Sequence, residues 1–143
     1  YKLTPQRTEI EGKSVMIVDD SIVRGNTSRE IVRMLKDFGA TEVYFAVACP
    51  PVISPCFYGV DMPTRKELIA NNKSVNEIKK YLEVDELIYQ DIDSLSEAVM
   101  RKGDHHIDQP CMACFDKKYI TNDMNVEKIN ELEDMRIKDR NGK

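Results

Sequence analysis

Four apolar residues, Val15, Met16, Ile17 and Val18, run without interruption and end on two adjacent carboxylates, Asp19 and Asp20. A short continuous apolar run predicts a strand buried on both faces. A loop with one glycine, Gly25, follows. Thr27-Ser28-Arg29-Glu30 then reads as a capping box, with Thr27 as the N-cap and Glu30 at the third helical position. Downstream, Ile31, Leu35 and Phe38 recur at helical spacing, flanked by Val32 and Met34. Gly39 stands where a left-handed C-terminal cap belongs. A second strand is expected over 43–48, stopped by Pro50 and Pro51. Strand, loop, helix, glycine, strand is a βαβ unit, so the two strands should be parallel neighbours with a right-handed crossover.

After the prolines the pattern shifts. Thr64-Arg65-Lys66-Glu67 and Ser74-Val75-Asn76-Glu77 are two more capping boxes, each opening a short helix. A short strand is expected over 87–89 and a helix over 93–100. From Asn122 the chain is polar, with Val126, Ile129, Leu132 and Met135 or Ile137 near helical spacing. That pattern fits an amphipathic helix that docks, or a frayed terminus. No internal repeat or low-complexity linker interrupts the chain. The expected organisation is residues 1–100 as an α/β unit and 101–143 as a carboxyl-terminal segment.

Composition narrows the class. With 143 residues the chain is long enough for one domain with a sizeable core. A formal net charge of -4 argues against a nucleic-acid surface, which needs a basic surplus. No apolar run reaches the length of a membrane span, and no signal-peptide pattern opens the chain. Tyr1 rather than Met stands first, and an upstream partner segment is expected. Cys49, Cys56, Cys111 and Cys114 are an even set, but the remaining features suggest a reducing cytoplasm, where clustered cysteines more often bind metal or do redox work.

The strand-end acids carry the first chemical argument. In an open α/β sheet, ligands bind beyond the carboxyl ends of the strands. Two adjacent carboxylates buried without partners would cost several kcal/mol, roughly, so they must meet solvent, a cation or ligand hydroxyls. A vicinal diol such as ribose offers two donors at suitable spacing, and magnesium prefers oxygen ligands. Across the loop, Gly25 turns the backbone freely, and Asn26, Thr27 and Ser28 bring amides and small polar side chains to a helix start, an anion site. Together they describe a site for a ribose 5-phosphate. The plainer alternative is an ordinary N-cap after an ordinary turn.

The stretch from Val15 to Ser28, VMIVDDSIVRGNTS, resembles the phosphoribosyl diphosphate (PRPP) loop of type I phosphoribosyltransferases. Its continuation through FGATEVYFAVACPP, with CFYGVDMPTRKELIANN and CMACFDKKY, is similar to the carboxyl-terminal half of the amidophosphoribosyltransferase family. The resemblance implies a partial, Rossmann-like parallel-sheet type I phosphoribosyltransferase fold with a helical carboxyl-terminal extension. It implies that Asp19 and Asp20 hold the ribose hydroxyls and Mg²⁺, acting as the catalytic acids, and that Ser21, Arg24, Gly25, Asn26, Thr27 and Ser28 bind substrate. The implied reaction is displacement of pyrophosphate from PRPP by glutamine-derived ammonia, the first step of purine synthesis. Asn26 departs from the family's usual Thr, but its backbone donor survives. The implied partners are an upstream glutaminase and phosphoribosyltransferase half, and further copies in a homo-oligomer. No nucleic acid or membrane is implied.

CxxC at Cys111 and Cys114, with Cys56 upstream, is by itself open to zinc, an iron–sulfur cluster, a redox dithiol or coincidence. One branch of the resembled family carries a structural [4Fe–4S] cluster, and Cys56, Cys111 and Cys114 fall on its ligand pattern, with the fourth ligand outside this chain. The alternative is a vestigial site. Cys49 reads as a small buried hydrophobe. His105 and His106 read as a solvated loop pair, and Arg65 and Lys66 as a solvated helix face. Arg24 contacts phosphate or forms a surface salt bridge; its place in the loop favours phosphate. Tyr44, Phe45, Phe57 and Tyr58 read as packing. Competing functions are a PRPP-sensing regulator and another type I phosphoribosyltransferase. The regulator lacks a nucleic-acid module here, and the cysteine arrangement speaks against the other transferase.

Overall fold

The computed structural model describes residues 4–100 and 109–141. The expectation for His105 and His106 lies outside the described residues. Three strands, β1 (Ser14–Asp19), β2 (Glu42–Val47) and β3 (Glu86–Tyr89), form a parallel sheet in the order β1-β2-β3. Register pairs Val15 with Val43, Ile17 with Phe45, and Phe45 with Leu87. All three strands therefore end at one edge, where Asp19 sits opposite Val47 and Val47 opposite Tyr89.

Among the described residues, six α-helices accompany the sheet: α1 (Arg7–Ile10), α2 (Asn26–Asp37), α3 (Val75–Leu82), α4 (Ile92–Met100), α5 (Ala113–Asp116) and α6 (Val126–Asn141). The β1-α2-β2 unit is the expected one. The core lies on one face of the sheet, where Val43, Phe45 and Leu87 meet Val32 and Leu35 of α2 and Ile78 and Leu82 of α3. The strands' side chains alternate, and this corrects the expectation for β1. Val15 and Ile17 pack against the core, while Met16 and Val18 are 57% and 74% exposed on the opposite face. Among the described residues no element covers that face, so the apolar run is buried on one side only.

The helix start is corrected as well. α2 opens at Asn26 with Gly25 as its N-cap, at φ 79° and ψ -6°. Thr27 is therefore the second helical residue and not the cap. A left-handed glycine already turns the chain into the helix two residues earlier, so the Thr27–Glu30 box is not used. The buried stripe of α2 centres on Ser28, Val32 and Leu35, with Ile31 and Phe38 only half-buried. Gly39, at φ 91°, ends the helix as expected. Both later capping boxes form: Thr64 opens a single 3-10 turn, Arg65–Glu67, and Ser74 opens α3.

The tail is a docked helix. Ile129 of α6 is buried, and Glu133 accepts from the Arg65 backbone N–H at 2.6 Å and from its guanidinium at 2.9 and 2.7 Å. Arg65 is thus an interior anchor and not part of a solvated face; Lys66 is exposed. Arg136 donates to the Cys56 carbonyl at 2.7 Å and stacks over Phe57 at 4.7 Å. Phe45 is fully buried, Tyr44 half-buried, and Phe57 and Tyr58 both pack on Tyr119.

Candidate functional site

Residues 19–28 leave the carboxyl edge of the sheet and return as α2. Asp19 stays on the sheet: its carbonyl accepts from the Ala48 N–H at 2.9 Å. Its Oδ1 accepts the Asp20 N–H at 3.0 Å, and Asp20 Oδ1 accepts the Ser21 hydroxyl at 3.1 Å. Ile22, 1% exposed, plugs the loop into the core. The Val23 carbonyl accepts the Ile69 N–H at 2.9 Å. Gly25 has no room for a side chain, since a Cβ would lie 2.8 Å from Ile69 Cδ1 and 3.2 Å from Tyr81 Cε1. Positive φ and close approach both require glycine there.

The loop encloses a cleft of about 410 Å³ lined by Asp19, Ser21 and residues 23–28. Its two ends have opposite chemistry. One presents the Asp19 carboxylate. The other is the start of a twelve-residue helix that no side chain caps. The amides of Asn26, Thr27 and Ser28 have no carbonyl a turn earlier to bond, and the helix dipole adds partial positive charge. An anion with a polyol attached matches both ends. Asp19, Ser21 and the 24–28 run thus share one cleft. Asp20 does not line it and turns to Ser21 instead.

Arg24 is committed elsewhere. Its Nε and Nη2 donate to Glu67 Oε1 at 3.1 and 2.7 Å, while Glu67 Oε2 accepts from the N–H and hydroxyl of Thr64, both at 2.9 Å. The Arg24 guanidinium, with the Thr64 donors assisting, holds the Glu67 carboxyl down at about 2. The salt-bridge reading of Arg24 is the one these contacts match. A further loop contact comes from Tyr81, whose hydroxyl donates to Asn26 Oδ1 at 2.9 Å. Glu67 and Tyr81 are the site's neighbours that sequence reasoning missed. Thr64-x-x-Glu67 was visible as a capping box, but nothing local says that the second carboxylate oxygen reaches back to Arg24.

The cysteine region is drawn together by backbone bonds. The Cys114 carbonyl accepts the N–H groups of Ile53 and Ser54 at 2.9 and 3.1 Å, which lays α5 against the Cys56 loop. Tyr119 donates to the Pro55 carbonyl at 2.8 Å and shares a 2.7 Å bond with the Ser54 hydroxyl. All four cysteines are free thiols. Burial pushes the Cys114 thiol up to about 11, with smaller contributions from nearby Cys56 and Cys111. Among the described residues, no three Cys, His, Asp or Glu side chains converge as a metal centre would. The sulfur donors suit an iron–sulfur cluster chemically, but they are not gathered into its geometry. Cys49 is half-buried beside the core and donates weakly to the Pro50 carbonyl, as a small hydrophobe would.

Comparison with known proteins decides the family. Residues 2–89 match the phosphoribosyl transferase domain. The chain belongs to that family. Within it, the chain is similar to the amidophosphoribosyltransferase of Methanocaldococcus jannaschii, 49% identical over 128 residues, which is 90% of this chain and 26% of that protein. It is also similar to the amidophosphoribosyltransferase of Bacillus subtilis, 48% identical over 120 residues, or 84% of this chain and 25% of that protein. Among solved structures, the allosteric regulatory enzyme of purine biosynthesis superposes with a TM-score of 0.72 at 46% identity, covering 84% of this chain and 26% of its own. Glutamine PRPP amidotransferase from B. subtilis, complexed with ADP and GMP, superposes with a TM-score of 0.71 at the same identity. The chain spans about a quarter of the length of the curated relatives it matches. Its parallel sheet and helices are the type I phosphoribosyltransferase fold that the loop motif implied.

Proposed function

We propose that this chain is the PRPP-binding part of an amidophosphoribosyltransferase, in which ammonia displaces pyrophosphate at C1 of PRPP to give 5-phosphoribosylamine. The observation that carries the reading is the bipolar cleft: an acid at the strand end faces an uncapped helix start, in a chain nearly half identical to enzymes of that name. The amides of residues 26–28 hold the 5-phosphate. The Asp19 carboxylate accepts from the ribose hydroxyls and so fixes the sugar. As the bond to pyrophosphate lengthens, positive charge grows on the ring, and the nearby carboxylate favours it. Asp19 in the cleft, joined by Asp20 once its carboxylate releases the Ser21 hydroxyl, would hold Mg²⁺, which when bound would neutralise charge on the pyrophosphate leaving group. No side-chain nucleophile is required, because ammonia attacks directly.

The test is PRPP binding to the complete protein carrying Asp19→Asn and Asp20→Asn, followed by titration calorimetry in magnesium buffer. Affinity should fall at least about a hundredfold, since charge-assisted bonds to two hydroxyls and the ion are lost together. Unchanged affinity removes the role assigned to the acids. For the cysteines, we propose that Cys56, Cys111 and Cys114 supply three thiolates to a structural [4Fe–4S] cluster, with a fourth ligand from outside this chain. The reading is supported by the bonds that lay α5 against the Cys56 loop.

A further inference from the structure

A loop of six residues between a strand and a helix pays a conformational entropy cost each time it orders around a ligand. Here that loop is already tied to a second wall, the segment carrying the 3-10 turn Arg65–Glu67 and the start of the next turn at Ile69. Two contacts cross between them, the Arg24–Glu67 pair and the Ile69 N–H to the Val23 carbonyl, while Tyr81 of α3 donates to Asn26 at the start of α2. The wall is fixed in turn. Glu67 is locked by both donors of Thr64, and Arg65 is bound to Glu133 of α6. Of these contacts, only the Arg24–Glu67 pair is charged, and charge-assisted bonds are about twice as strong as neutral ones.

We propose that Glu67 is a positioning residue for the phosphate cradle: through Arg24 it holds the loop so that the amides of residues 26–28 stay aimed into the cleft, and Arg24 serves as a tether and not as a phosphate ligand. This inference rests on the PRPP reading of the site. The geometry supports the tether. Two of the guanidinium's donor nitrogens converge on one Glu67 oxygen, 43 residues away in sequence. Moving Arg24 onto a phosphate would take its two donor nitrogens from that oxygen and remove the charged contact between loop and wall at the moment the loop must be rigid. The 5-phosphate is remote from the bond that breaks, so a better cradle binds ground state and transition state alike. Loss of the tether therefore raises KM and leaves kcat nearly untouched.

The experiment compares wild type, Glu67→Gln, Glu67→Ala, Arg24→Ala and the double Arg24→Ala/Glu67→Ala variant in the complete protein, using the ammonia-dependent reaction and PRPP titration. Glu67→Gln keeps the shape of the capping box and guards against a variant that does not fold. The expected result is a KM and Kd for PRPP raised about tenfold in each alanine single variant and less in Glu67→Gln, with kcat within about twofold and the double variant no worse than either single one. Simple destabilisation would instead lower the active fraction and hence the apparent kcat. The charge-swapped pair Arg24→Glu/Glu67→Arg should recover most of the affinity. The inference is overturned if Arg24→Ala weakens PRPP while Glu67→Ala leaves it unchanged or tightens it, because Arg24 is then itself the ligand. Wild-type protein with no PRPP affinity would overturn the site reading and this inference together; normal wild-type binding beside unaffected Glu67 variants overturns the inference alone.

Discussion

Gly25 does two jobs with one missing atom. Its φ of 79° starts α2 without a side-chain cap, and its bare Cα lets Ile69 and Tyr81 close in behind the loop. Gly25→Ala should destabilise the fold by about 1–2 kcal/mol, from left-handed strain plus displacement of the Ile69 tip, read from the midpoint of urea unfolding. PRPP affinity should drop with it, because the first amides of α2 shift. At this scale the sequence was legible where one residue type has one use: Asp19 at a strand end and Gly25 in a tight turn were readable from the string. The cap was misread because a threonine three residues before a glutamate is a side-chain signal, whereas the actual start is a backbone event at glycine. The Arg24–Glu67 partnership was illegible because spacing rules speak only of neighbours within a turn or a strand.

Helices here are positioned by long-range charge pairs as much as by apolar stripes. Arg29 and Arg33 of α2 both donate to Glu83 Oε1, at 2.8 and 2.7 Å, just past the end of α3. Those two guanidinium groups hold the Glu83 carboxyl down at about 2. α6 is clamped at Glu133, which is buried and takes three bonds from Arg65. Glu133→Ala should cost about 1–3 kcal/mol, since it strips a half-buried guanidinium and a backbone N–H of their acceptor. Hydrogen exchange should speed up through α6 while the amides of the sheet stay protected; equal loss of protection in both would mean that the helix and sheet unfold as one unit. The periodicity of α6 was visible in Val126, Ile129 and Leu132, but its polarity left both a docked helix and a frayed terminus open. A buried glutamate looks like any other charge until the arginine that meets it, 68 residues away, is placed.

On the scale of the whole chain, the carboxyl-terminal segment is stapled back over the loop that follows the second strand, through Cys114, Tyr119 and Arg136. If the proposed cluster forms, the complete protein purified without oxygen should hold about four iron and four sulfide per chain, and Cys111→Ser should lose both. Zinc at full occupancy in their place would count against the cluster. The fold class and the parallel order of the strands were legible because the βαβ grammar is local and strongly patterned. Which face of the sheet stays dry was not, since an uninterrupted apolar strand reads the same whether one side or both are covered. Met16, Val18, Tyr44, Ala46 and Ile88 fall on one side of the sheet by register, and three of them are largely open. Water wets such a plane poorly, and among the described residues no strand pairs with the outer rim of β1 beside it, which leaves its backbone groups open to a passing strand. Handled by itself at high concentration, this polypeptide would tend to clump, and a lysine in place of Val18 is the simplest way to keep it dispersed.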